Sequence, residues 1–502
     1  MMRNGFSVHR HARRLGAMAL GLLGLLASLW PLSAGAVPAF ARQTGQNCVA
    51  CHAGGQFPEL TPYGRMFKLT GYTIGQSTVP LSVMGLTTLA KVANTSKSDD
   101  PGSDFQKNGQ LLPLATASIF LAGKITNNLG GFVQVTYDNY ASQDSDGNFH
   151  GHSQADNMDL RWAEHVVDDQ RDLVFGFSLN SNPSVSDPWN TAAAWMQYVP
   201  VPSPTSHQFI DGTAPYPSFG SGGNIAGISA YLFWNRSFYA ELGTYRSANQ
   251  ALGFMSAGIA DADKTFLAGN NNPYWRFAVS REWGPHNLMV GTSGMVAHVY
   301  DTGSDTTDPN NISVFRNQGV DAQYQYILDP HTFTAQLAYM RQEQRYSANT
   351  LAGAAPPYFL ADGVTPVAGV NPSDTTYVLR AKLSYIYQAK YGAAIGYFNR
   401  WGSSNTLNQS SGYDNSPGGG LITSNDPNGT GITSTRVTGN LSGNPATRGL
   451  TYEVFWMPWQ YVRLGAQYTA YSKYNGAGNN YDGFGRNASD NNSLFLYAWY
   501  AF

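Results

Sequence analysis

Cysteine is almost absent from the 502-residue chain, which holds Cys48 and Cys51 and no other. A disulfide framework is excluded, and a bridge between these two would close a very short loop. Charge is scarce as well, at 12% of residues, where a soluble domain carries about a quarter. No basic patch offers a nucleic-acid surface. No Ser-His-Asp set, glycine-rich phosphate loop or paired carboxylates stand out, so a hydrolase reading has no anchor. What is abundant points elsewhere: aromatic residues make up 13% and glycine numbers 54. Few charges, many aromatics and many glycines without a long apolar run in the body describe a membrane β-barrel better than a soluble globule.

The chain divides into three parts. Residues 1–36 read as a secretory signal peptide: Arg3, Arg10, Arg13 and Arg14 form a basic start, Leu15 to Leu29 an apolar run, and Ala34-Gly35-Ala36 a small-residue cleavage site. Export of the remainder is expected. Residues 37–80 hold the two cysteines, and residues 81–502 hold the strand pattern.

Cys48-Val49-Ala50-Cys51-His52 is a C-x-x-C-H run, the pattern of covalent c-type haem attachment. Two thiols at this spacing add to both vinyl groups of one haem, and the adjacent imidazole takes an axial position on the iron. A zinc site would need further ligands nearby, and none follow within the next thirty residues. A thioredoxin-like site would need a βαβ pattern, which is missing. The expected cofactor is therefore one covalent haem c, bound through Cys48 and Cys51, with His52 as proximal iron ligand. After the motif, Pro62 is suited to open a short helix, because a first turn does not use its missing N–H.

From residue 81 the chain reads as sixteen alternating segments, including 81–94, 157–167, 236–246, 375–389, 448–457, 460–473 and 491–502. The clearest places Tyr377, Leu379, Ala381, Leu383, Tyr385 and Tyr387 on one face and Arg380, Lys382, Ser384 and Gln388 on the other. That alternation suits apolar side chains toward outer-membrane lipid and polar ones toward a wet lumen. Short turns, at Thr126-Asn127-Asn128, Asn235, Lys390 and Pro458-Trp459 among others, alternate with eight long polar loops. The expected fold is all-β, a 16-stranded porin-like outer-membrane barrel. Sixteen strands about 4.8 Å apart, tilted about 40°, give a diameter of about 32 Å. A 44-residue piece about 24 Å across fits the space inside its side chains. The cytochrome segment is thus expected to plug the lumen toward the periplasmic side.

At this point the residues resemble a known family, the fused monohaem cytochrome-porins of iron(II)-oxidising bacteria. The resemblance is carried by Phe40-Ala41-Arg42-Gln43-Thr44-Gly45 through His52, by Phe57-Pro58, Tyr63-Gly64-Arg65-Met66-Phe67-Lys68 and Gly71-Tyr72-Thr73, and by Asn180 to Asn190. It implies an outer-membrane cytochrome c that takes electrons from extracellular Fe(II) through a single haem to a periplasmic cytochrome or copper protein. A diffusion porin with a haem-bearing plug or sensor, and outward electron transfer, are the alternatives.

Two further sets of residues are candidates. The distal haem position is open to Met66, fourteen residues after His52, to Met84, to a loop histidine or to no protein ligand. Asp144, Asp146, His150 and His152, with Asp156 beyond them, bring together the carboxylates and imidazoles that suit an encounter with Fe(II). Loop residues Asp99, Asp100 and Asp104 carry the same reading. Asp159, Arg161, Asp321, Arg380 and Lys382 are expected to face the lumen and to pair with each other or with the plug.

Overall fold

The structure is a computed structural model, and it describes residues 39–55, 59–94, 109–143, 149–191, 225–251, 267–269, 272–301, 306–353, 371–405, 444–481 and 485–502. The signal segment, Asp99, Asp100, Asp104, Asp144 and Asp146 lie outside the described residues.

Sixteen strands close on themselves: β1 Leu81–Val92, β2 Leu111–Lys124, β3 Leu129–Gln143, β4 Phe149–Val167, β5 Asp172–Asn180, β6 Ile225–Trp234, β7 Phe238–Ser247, β8 Pro273–Trp283, β9 His286–Tyr300, β10 Ile312–Leu328, β11 His331–Arg345, β12 Ser373–Tyr387, β13 Tyr391–Gly402, β14 Thr447–Trp459, β15 Val462–Lys473 and β16 Ser493–Ala501. Each pairs antiparallel with its neighbours in the chain. β1 closes the circle on β16, in register from Met84 opposite Ala501 to Val92 opposite Ser493. Closure leaves no strand edge unpaired, the condition for a sheet to stand in lipid.

The faces sort as the alternation requires. Along β12 Leu383 is 48% exposed while Arg380 and Lys382 are buried, and on β14 Val454 is 60% exposed between buried Glu453 and Phe455. Exposed apolar side chains outside and buried charged ones inside make this a membrane-spanning barrel of the outer-membrane type.

All sixteen expected strands are present, and the differences lie at their ends. β7 begins at Phe238 and β12 ends at Tyr387. The β-turns there, closed by Ser237 N–H on the Trp234 carbonyl and Lys390 N–H on the Tyr387 carbonyl (both 3.0 Å), hold two central residues at positive φ. Those residues are Asn235 and Arg236, then Gln388 and Ala389. Both turns are where Asn235 and Lys390 place them, but turns of this hand are signalled by Gly and Asn, so Arg236, Gln388 and Ala389 hide how far each extends. Pro458 and Trp459 belong to β14 instead of the turn. A register shift between Trp456 and Trp459 absorbs the residue that lacks a ladder N–H. β4 starts eight residues early, because its hairpin with β3 continues past the apolar band where both faces are wet and alternation is lost.

Ahead of the barrel lie three short helices, α1 Ala39–Thr44, α2 Cys48–Cys51 and α3 Pro62–Leu69. α3 starts as anticipated with Pro62 in its first turn, and the Thr61 hydroxyl caps it by accepting from Gly64 N–H at 3.1 Å.

Candidate functional site

Cys48 and Cys51 form the single turn of α2, and His52 leaves it in extended conformation. Residues three apart on a helix lie on one face, so both sulfurs emerge on the same side. The turn is pinned at both ends. His52 N–H donates to the Cys48 carbonyl (2.9 Å), Thr61 N–H to the Cys51 carbonyl (2.9 Å), and Ala53 N–H to the Glu59 carbonyl (2.8 Å). The Thr61 hydroxyl donates to the Ala50 carbonyl. α3 crosses so closely that a Cβ at Gly64 would run into the Cys51 carbonyl oxygen. Glycine at 64 is therefore a condition of the site.

The chemistry of the donor set matches a haem c. Both cysteines are free thiols, half-buried. Burial pushes the Cys51 thiol up to about 11, with Cys48 adding to it, and burial raises Cys48 too. His52 Nδ1 is buried without a hydrogen-bond partner, and burial pushes the imidazole down to about 4 against the pull of Glu59. A neutral imidazole is the form that binds iron.

The segment meets the barrel through inward-facing side chains. Near the short turns, Gly54 abuts Ile386, Gly71 approaches the Arg161 and Asn128 carbonyls, and Glu59 pairs with Lys382. Gln43 donates to the Tyr72 and Ile74 carbonyls (2.7 and 2.8 Å) and accepts from Lys124 N–H (2.9 Å), tying α1 to β2. Tyr72 donates to Asp159 Oδ2 (2.6 Å), which also accepts from Arg161 Nε (2.7 Å), while Ser178 holds the other oxygen (2.8 Å). Tyr231 donates to the Leu69 carbonyl (2.7 Å). Arg65 reaches Gln325 (3.0 Å), Asn287 and Glu282 (3.7 Å).

A second piece of chain completes this wall. After β5 the helical turn Pro183–Ser186 and the residues to Thr191 fold into the barrel. Asp187 is fully buried. Its carboxylate accepts from Thr191 N–H (2.8 Å) and Arg276 Nε (3.3 Å), and its carbonyl accepts from Lys68 Nζ (2.9 Å). Burial, with Arg161 alongside, pushes the Lys68 ammonium down to about 8. Arg276 grips Asp321 with two nitrogens, at 2.5 and 2.8 Å. Trp189 packs edge-on to Tyr239 at 5.5 Å and joins Leu69 in one buried cluster.

The pairing expected for Asp159, Arg161 and Lys382 is thus present, whereas Asp321 pairs with Arg276 and Thr191 instead of another of the named residues or the 37–80 segment, and Arg380 is buried on the inner face. Met66 packs on the Leu69 and Trp189 cluster, and Met84 on the separate cluster of Leu86 and Phe495. His150 and His152 are exposed on β4, opposite Ser142 and Asp138, and among the described residues no three His, Cys, Asp or Glu side chains gather as a metal site. Arg65 and Asp187 lie in the stretches that carry the family resemblance but were given no role of their own, and Glu59 and Arg276 were not assigned one either. The available signal was Arg65 and Lys68, one turn apart on a helix that is otherwise mostly uncharged.

No family model matches the chain, and no curated protein matches it. Solved structures similar to it are outer-membrane porins and channels. A loop-deletion mutant of OmpT, an outer-membrane protein of Vibrio cholerae, is 11% identical over 85% of this chain and 99% of its own, with a TM-score of 0.42. OmpF of Salmonella typhi, in complex with daunomycin, is 13% identical over 84% and 97%, with a TM-score of 0.42. The outer-membrane channel DcaP of Acinetobacter baumannii is 11% identical over 84% and 96%, with a TM-score of 0.39.

Proposed function

We propose that this chain is an outer-membrane porin-type barrel carrying a single haem c on a lumenal segment. In this reading it passes electrons from extracellular Fe(II) to a periplasmic cytochrome or copper protein. The observation that carries the proposal is the C-x-x-C-H turn, with Cys48 and Cys51 three residues apart on it and an unpartnered His52 nitrogen beside them. Cys48 and Cys51 would hold the haem as thioethers, and His52 would hold its iron. A haem bound there supplies a one-electron couple. The chain's own residues do the rest: Lys382 with Glu59 and Tyr72 with Asp159 hold the segment, and Leu69 with Trp189 excludes water on the β4–β9 side.

The test is mixing purified protein with Fe(II) across acid and neutral pH while following haem absorption. Reduction of the haem is expected, and a haem that stays oxidised throughout removes Fe(II) as donor.

A second reading has its own support. A closed barrel of sixteen strands is by itself the architecture of a diffusion porin, and nothing in its wall requires redox chemistry. There the 37–80 segment acts as a haem-bearing plug or sensor. Liposome swelling separates the two, since a conduit stays sealed to sugars and a porin leaks.

A further inference from the structure

The outer face of β10 and β11 carries a cluster that neither reading uses. Arg316, Arg341 and Arg345 surround Glu343, at 3.5, 3.5 and 2.9 Å. Register puts Arg316 opposite Glu343 and Val314 opposite Arg345, and these residues share the face of Val320 and Leu337, which are exposed on the outside of the wall. The inner face at the same level is occupied separately, by Gln342 donating to Asn317 at 2.9 Å.

The position of the cluster across the membrane follows from the chain. β10 and β11 meet at the short turn Asp329–Pro330, so the arginines stand at the opposite end, on the side of the long connections, which faces the cell exterior in such barrels. Tyr339, Tyr377 and Trp401 lie beside and just below them, with ring centroids 5.6 to 6.4 Å apart. Aromatic sets of this kind mark the headgroup level. Successive residues on one strand face are roughly 7 Å apart, so Arg341, Glu343 and Arg345 climb from that level into the headgroup layer.

We propose that this cluster binds the phosphate groups of a phosphorylated glycolipid in the outer leaflet. Three guanidiniums against one carboxylate leave an excess of two positive charges on a surface that faces lipid. The arginine side chains are 45%, 39% and 56% exposed and the glutamate 19%, so the carboxylate orients the forks while their other nitrogens stay open. Guanidinium forks match phosphate oxygens in pairs.

The experiment counts lipid retained by the purified full-length protein, by native mass spectrometry, after incubation with phosphorylated lipid A, dephosphorylated lipid A or phosphatidylglycerol. The wild type is expected to retain phosphorylated lipid A in preference to both others. The triple variant R316Q/R341Q/R345Q is expected to lose that retention by on the order of 10- to 100-fold, the range of losing charged hydrogen bonds. Single Arg345→Gln, at the most exposed of the three, gives a smaller loss and serves if the triple variant does not fold. Glu343→Gln, which removes the one negative charge, is expected to raise retention. Equal retention by wild type and Arg345→Gln, equal retention of the dephosphorylated lipid or phosphatidylglycerol, or a loss in Glu343→Gln would each overturn the proposal.

Discussion

The two sides of the barrel interior are built differently. From β4 to β10 the inward side chains turn to other pieces of chain: Asp159 to Tyr72, Tyr231 to Leu69, Arg276 to Asp187, and Asn287 and Gln325 to Arg65. From β13 to β16 the contacts described for the inward side chains run within the wall. Arg463 bonds Glu453 (2.8 Å) and the Tyr497 hydroxyl (2.8 Å) and lies 3.7 Å over the Phe455 ring, while Phe398, Tyr471, Tyr474 and Tyr481 pack together. Of these two sides only the first holds the N-terminal segment, which is tied elsewhere by Lys382 of β12 to Glu59 and by Lys124 of β2 to Gln43.

That comparison can be broken at several points. The largest effect is expected at the attachment site: Cys48→Ala with Cys51→Ala should abolish covalent haem completely while the barrel keeps its heat-modifiable migration. A pyridine haemochrome signal remaining on the denatured double variant would contradict the assignment. Next, Arg276→Ala leaves Asp187 and Asp321 without their shared cation, a cost of about 3–5 kcal/mol for a broken buried ion pair. Hydrogen exchange should then rise in α3 and in residues 183–191. Arg463→Ala breaks a comparable contact on the other side and should leave exchange in α3 unchanged. Equal release of α3 by both variants would erase the distinction between the walls.

Gly64→Ala sharpens the picture within the segment. Its methyl must displace the Cys51 carbonyl, at about 1–3 kcal/mol for overpacking, so haem incorporation during expression should fall while barrel yield does not. Tyr72→Phe is the smallest change. It removes one hydrogen bond to a carboxylate that keeps Arg161 and Ser178, an expected loss of about 1.5 kcal/mol, seen as faster exchange near Gly71 and Thr73.

The strands were readable because a wall with lipid outside and polar groups inside imposes a period of two, and Leu379 to Tyr387 on β12 obey it. Where that contrast stops, the reading stopped: residues 150–154 of β4 are exposed on both faces and looked like loop. The turns at Asn235 and Lys390 were legible, but Arg236, Gln388 and Ala389 take a left-handed backbone without advertising it, which displaced the strand ends beside them. For the site, C-x-x-C-H is a local pattern and needs no partner to be recognised. Asp187 and Arg276 are 89 positions apart, and the coupling of their charges appears only when β8 and the inward turn meet.

The sequence alone determined the period of the wall and the number of its strands, and it marked the residues proposed to bind a haem, because each depends on spacing along a few neighbouring residues. The tertiary structure decided which charges answer one another across the lumen, and that α3 is fastened to one half of the wall. Those are long-range pairings, and the energy of a buried charge depends on what folding brings beside it.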